Sequence, residues 1–178
     1  MDTPVTGLDI HDNLIDSGVR WGAVGYTPAV SGEGVHFNAG VTDSRVYRNV
    51  FVAWPHNGIY LDGHLPQAPG VTGNKVFDNE FHCGEKSSYL DYCRPFGIDG
   101  ASAGKASHNL IFRNRMHDFS VGAQVNGNEN FVIGNYCYDV TNSGARSTPT
   151  GVCFRMQAYG YSRNNLIAYN TMARTADA

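Results

Sequence analysis

The chain has 178 residues, a formal net charge of −3 and only 16% charged residues, with 21 glycines against 7 prolines. This balance gives no electrostatic case for nucleic acid or an anionic membrane. The glycine-rich, charge-poor mix argues against a helical bundle and for many turns and stacked strands. No apolar run approaches the roughly 20 residues that span a bilayer, and no basic stretch followed by an apolar core marks a signal peptide.

In chain order, one phrase recurs: Asn-x-aliphatic-x-x-Asn-x-apolar. Two loose copies come first, LDIHDNLI at 8–15 and SRVYRNVF at 44–51. Closer copies follow: NKVFDNEF at 74–81, NLIFRNRM at 109–116, NFVIGNYC at 130–137 and NLIAYNTM at 165–172. Every copy holds the second Asn, as Asn13, Asn49, Asn79, Asn114, Asn135 and Asn170. Three residues earlier stands a β-branched residue (Ile10, Val46, Val76, Ile111, Val132 or Ile167). Two residues later stands an apolar one (Ile15, Phe51, Phe81, Met116, Cys137 or Met172). An inward β-branched residue, a tight corner and a second inward residue describe two strands meeting at a bend. Asn tolerates the left-handed backbone of such a corner, and its amide can bond to the equivalent Asn in the next repeat.

A second phrase follows the first five copies: Gly18-Val-Arg-Trp21, Gly58-Ile-Tyr-Leu61, Gly97-Ile-Asp99, Gly122-Ala-Gln-Val125 and Gly151-Val-Cys-Phe154. It reads as a third strand with alternating facings. The intervals between successive repeat Asn residues are unequal, so the excess must loop out between strands. The pattern predicts an all-β fold, a right-handed parallel β-helix of about six coils. It forms a single domain over 1–178, with coils in 8–172, and is compatible with a piece of a longer solenoid.

These phrases resemble the pectate-lyase-like superfamily of right-handed β-helices. The resemblance implies a substrate groove on the outer face of the strand after the variable loop, and an extracellular or cell-surface setting. Aligned on the glycines, the first outward row is Arg20, Tyr60, Asp99, Gln124 and Cys153. The second is Gly22, Asp62, Ala101, Asn126 and Arg155. Such a mixture suits sugar hydroxyls and uronate carboxylates. A solvated strand face would also be polar.

In this alignment Asp62 and Asp99 are diagonal neighbours about 8 Å apart, within the span of an inverting glycosidase. The superfamily's polygalacturonase-type signatures, Asn-Thr-Asp, Asp-Asp and Gly-His-Gly, are absent. Asp62-Gly-His64 is similar to the Asp-Pro-His of alginate epimerases, with Gly in place of Pro. For elimination or epimerisation, His64 or Lys105 would serve as base and Tyr60 or Tyr159 as acid. Arg155 or Asn126 would neutralise the uronate. Catalysis is thus expected from Asp62, Asp99 and His64, and substrate binding from Tyr60, Gln124, Asn126, Arg155 and Arg20.

The seven histidines show no metal-ligand spacing, and no cofactor is expected. Calcium is common in lyases of this fold, but no Asp-x-Asp cluster indicates it here. Cys83 and Cys93 bracket a loop that a disulfide could close, with free thiols the alternative. Cys137 reads as a small core residue and Cys153 as outward, which argues against a bridge between them. Tyr47, Phe77 and Phe112 share one outward position and should stack, as a sugar platform, a subunit contact or packing under a loop. Two functional classes follow: a polysaccharide lyase, epimerase or hydrolase, and a non-catalytic binding module of the tailspike or adhesin type. The expected partner is a polysaccharide or oligosaccharide. Uncapped ends or the aromatic face could also join copies of the chain.

Overall fold

The computed structural model describes residues 4–16, 32–38, 40–54, 56–64, 69–83, 93–100, 105–119, 122–140, 151–156 and 162–175. Among them there is no helix. All strands belong to four parallel sheets of four, six, six and five strands, each ordered as the strands follow in the chain. Chain-order stacking of parallel strands is consistent with a β-helix solenoid. Each of the six repeats adds one short strand to each of the two six-stranded sheets.

The phrase built on the β-branched residue forms the second sheet: Asp9–His11, Arg45–Tyr47, Lys75–Phe77, Leu110–Phe112, Phe131–Ile133 and Leu166–Ala168. After the Asn comes the third sheet: Leu14–Asp16, Val50–Val52, Glu80–His82, Arg115–His117, Tyr136–Val140 and Thr171–Thr175. The register aligns Ile10, Val46, Val76, Ile111, Val132 and Ile167 in one column, and Ile15, Phe51, Phe81, Met116, Cys137 and Met172 in another. The central residues of both columns are fully buried, whereas Met172 in the last repeat is 60% exposed. Phe51 and Phe81 stack at 4.7 Å between centroids, and the core is this pile of equivalent side chains.

The repeat Asn residues are stacked across intervals of 36, 30, 35, 21 and 35 residues, each Nδ2 donating to the Oδ1 of the next. Each also donates to a backbone carbonyl, Asn114 to that of Val76 at 3.0 Å. The result is an asparagine ladder that satisfies the polar groups of a buried corner. A second ladder, five residues upstream, was not anticipated. Asn74, Asn109 and Asn130 each donate Nδ2 to the Oδ1 of the next, ending at Asn165, and Ser44 joins through its backbone N–H to Asn74 Oδ1. The left-handed residue is the one before the ladder Asn rather than the Asn itself: Asp12, Arg48, Asp78, Arg113 and Tyr169 have φ of 53° to 57°. A left-handed residue there leaves the Asn extended, so that its backbone N–H and side chain both point along the stack.

The first sheet was also missed. It consists of Val5–Thr6, Val41–Thr42, Val71–Thr72 and Ala106–Ser107, and isolated bridges through Asn128 and Arg163 extend it. On the outer face of the second sheet, Tyr47, Phe77 and Phe112 stack as expected, 4.9 Å apart. Arg48 and Arg113 from the adjoining corner lie over this stack, 4.9 Å from Tyr47 and 5.0 Å from Phe112.

Cys83 and Cys93 form a disulfide. Cys137 and Cys153 form a second one, contrary to the expectation from their facings. Cys137 does point inward. Cys153 is also buried, because continuing the strand register places it level with Gly122, Gly58 and Gly34. At that level the chain turns into the fourth sheet. A Cβ on Gly34 or Gly58 would stand 2.8 Å or 2.7 Å from Phe51 or Phe81. The position therefore faces the core, and in the Cys137 repeat a small residue leaves room for a disulfide.

Candidate functional site

The fourth sheet is formed by Glu33–Phe37, Asn57–Asp62, Arg94–Asp99, Ala123–Val125 and Phe154–Met156. Its register departs from the glycine alignment in three places. Gly97 pairs with Tyr60 and with Gln124, two residues along from the expected match. Ala123 pairs with Phe154, so Gly151 is displaced by two as well. Among the described residues the first strand holds Gly34-Val-His-Phe37 and puts His36 opposite Tyr60, while the expected Gly18-Val-Arg-Trp21 lies outside them. A shift of two preserves facing but changes neighbours.

The outward row is therefore His36, Tyr60, Gly97, Gln124 and Arg155. The next outward row holds Asp62, Asp99 and Asn126. Asp62 and Asp99 are not diagonal. They lie directly opposite on neighbouring strands, whose backbones run about 4.8 Å apart. The two-residue offset from which a gap of about 8 Å was expected is absent in this register.

Instead, the two carboxylates take different partners. Asp62 is 4% exposed. Its Oδ1 accepts from the His64 backbone N–H at 3.1 Å and contacts His64 Nδ1. Its Oδ2 meets His36 Nε2 at 3.2 Å. With Nδ1 tied to the carboxylate, the His64 ring, 46% exposed, is left with Nε2 as its second nitrogen. Asp99 Oδ2 accepts the Tyr60 hydroxyl at 2.9 Å. Burial, and after it the charges of Asp99 and Asp62, push the Tyr60 phenol far above its usual range, so it stays protonated.

The His36 ring lies 5.1 Å from that of Tyr60, and His56 meets Tyr60 edge-on at 6.0 Å. His56 Nδ1 contacts Glu33 Oε1 at 2.7 Å. This bond holds the Glu33 carboxyl below its ordinary range against the opposing effect of burial. Gly63 follows Asp62 and abuts the next repeat, where its Cβ would be 2.5 Å from the Lys105 backbone. Lys105 thus begins beside the Asp62–His64 pair.

Of the residues singled out from sequence, Tyr60, Asp62, His64 and Asp99 converge. Asn126 is buried beside Asp99. Gln124 lies two strands from Tyr60, and Arg155 three strands, about 14 Å at the ordinary strand spacing. Arg20 and Tyr159 lie outside the described residues, and the row position assigned to Arg20 is held by His36. Sequence reasoning missed His36, Glu33 and His56. A signal was present, because Gly34-Val-His-Phe37 repeats the Gly-Ile-Tyr-Leu phrase as well as the segment at Gly18 does. Among the described residues, no group of three His, Cys, Asp or Glu side chains is placed to hold a metal ion. No protein-family model matches the chain, and neither does any curated protein or solved structure.

Proposed function

We propose that the chain is a right-handed parallel β-helix of about six coils, similar to the pectate-lyase-like superfamily, as its six-stranded second and third sheets support. On this reading it recognises an extracellular polysaccharide along the outer face of the fourth sheet. There it moves a proton on a uronate, as a lyase or a C5 epimerase. One observation carries the reading: a buried carboxylate, Asp62, holds an imidazole at each oxygen, one of them the half-exposed His64, and its charge helps keep the Tyr60 phenol of the same strand protonated.

In the proposed step, His64 Nε2 removes the C5 proton. Asp62 orients the ring and stabilises the imidazolium that forms. Lys105 balances the carboxylate charge that grows at C6. For elimination, the C5–H electron pair becomes the C4–C5 double bond and the C4–O bond breaks. The Tyr60 proton then passes to the leaving oxygen. For epimerisation, Tyr60 returns a proton to C5 from the opposite face. Gln124 and Arg155, further along the row, would bind neighbouring sugars of the polymer.

The test is a panel of uronate and neutral polysaccharides followed by ultraviolet absorbance of unsaturated uronates and by reducing-end release. Unsaturated product from a uronate polymer, falling on the order of 100-fold or more in Asp62→Asn with binding retained, is expected. Reducing ends without unsaturation would replace the reading with hydrolysis. Binding with neither product nor epimerised residues would leave a non-catalytic recognition module.

A further inference from the structure

We infer that Gly97 is a positioning residue of this site: its missing side chain lets Tyr60 cross from its own strand to Asp99 on the next. The inference rests on the proton-transfer reading only for its kinetic test.

Along the outward row, His36, Tyr60, Gln124 and Arg155 all carry long side chains, and Gly97 alone carries none. Its backbone does not demand glycine, since Gly97 has no positive φ. Glycine inside a strand weakens it, so the position calls for a packing reason. The reason is on the same face. A Cβ at Gly97 would lie 3.0 Å from Tyr60 Cδ2 and 2.8 Å from Asn57 Oδ1. The Tyr60 ring therefore leans over Gly97.

That lean places the hydroxyl. Gly97 is the direct partner of Tyr60, and Asp99, two residues further on, is the diagonal one. Diagonal neighbours are roughly 7–8 Å apart at the backbone, a gap that only a long side chain leaning across can close. The hydroxyl reaches Asp99 Oδ2 at 2.9 Å. Asp62 and Asp99 stand opposite each other as like charges, an arrangement unfavourable in a sheet. Tyr60 binds Asp99 while His36 and His64 bind Asp62, so the two carboxylates have different partners. A methyl group at position 97 would press on the Tyr60 ring as well as on Asn57 Oδ1, and on this inference the displaced ring no longer holds its hydroxyl on Asp99.

The test is a double-variant cycle with Gly97→Ala and Tyr60→Phe, read in two ways. In chemical denaturation, Tyr60→Phe should lower the midpoint of the wild type and leave that of Gly97→Ala unchanged, because the hydroxyl bond is already lost. Equal shifts in both backgrounds overturn the inference, whether or not the protein proves to be an enzyme. In turnover of the uronate polymer, Gly97→Ala should lower kcat on the order of 100-fold with KM held, and Tyr60→Phe should then add less than about twofold. Multiplicative losses overturn it. If Gly97→Ala alone fails to fold, the Tyr60→Ala, Gly97→Ala double variant is expected to fold, because the ring no longer occupies the methyl's place. Failure of that variant too would identify Asn57 as the obstruction and overturn the assignment.

Discussion

The second and third sheets and the fourth sheet are built from the same repeats, yet they obey different rules. Between the second and third sheets the corner is a single left-handed residue and an Asn, with no room for insertion, and six repeats keep one register. Between the third and fourth sheets the chain leaves through loops of unequal length, and the phrase that opens the fourth sheet slides by two residues in two repeats. The constrained corner carries stability: buried Asn stacks, β-branched residues and aromatic rings. The sliding face carries the titratable cluster, where His36, Tyr60, Asp62 and Asp99 come from three different strands. Loops on a rigid scaffold commonly bear function, and here the variation enters one strand earlier, in the register of the scaffold itself.

This contrast can be broken at its most rigid point. Asn114→Ala removes a fully buried ladder residue and strands the Val76 carbonyl and the Asn79 amide. Two or more orphaned buried groups should cost about 3–5 kcal/mol by chemical denaturation. Asn13→Ala, at the exposed end of the same ladder, should cost about 1 kcal/mol. Equal losses would mean that the ladder does not act through burial. Phe81→Ala should cost about 3–5 kcal/mol by opening the aromatic pile. Gly58 packs its face against that ring and against the Pro95 carbonyl oxygen, 2.6 Å from where a Cβ would stand, so Gly58→Ala should stay destabilising in the Phe81→Ala background, by less than in the wild type.

Smaller effects sharpen the boundary between the two regions. Cys137 and Cys153 are 16 residues apart and tie the third sheet to the fourth. Removing both as serines should cost about 3 kcal/mol on loop-entropy grounds. The smallest effect is acid sensitivity at Glu33, whose carboxyl is held low first by the His56 hydrogen bond. A depressed carboxyl stabilises the fold above its unfolded value, near about 4.3, and loses that contribution as pH falls through the folded value. Stability below about pH 4 should thus fall more steeply in the wild type than in Glu33→Gln, by less than about 1 kcal/mol. Parallel profiles would remove Glu33 from the cluster's electrostatics.

The parts of the fold legible in the sequence are those where one residue type has one physical task. An Asn at a fixed distance from an inward Val or Ile gave the second and third sheets, the buried columns and the first ladder. The second ladder was equally visible in the leading Asn of the phrase, but its task went unrecognised. The first sheet hid in two-residue strands, too short for alternation to show. On the fourth sheet, glycine was taken as a register mark although it serves two purposes. Gly34 and Gly58 clear the Phe rings of the core, whereas Gly97 clears a Tyr ring on the outside. The glycine alignment set Gly97 level with Gly58 and Gly151 level with Gly122, which displaced Asp99 from Asp62 and Arg155 from Gln124. It also hid the turn of Cys153 into the core. Tyr60, Asp62 and His64 were found because they are adjacent in the chain. His36 and Glu33 come from the preceding repeat, and only the strand register joins them.

The proton-transfer reading is tested most directly by C5 hydrogen exchange. A uronate polymer incubated with the protein in heavy water should gain deuterium at C5 or appear as an unsaturated product of C5 proton loss, by nuclear magnetic resonance. Asp62→Asn should bind the same polymer and do neither. Wild-type protein that binds the polymer and leaves every C5 proton in place would contradict the account.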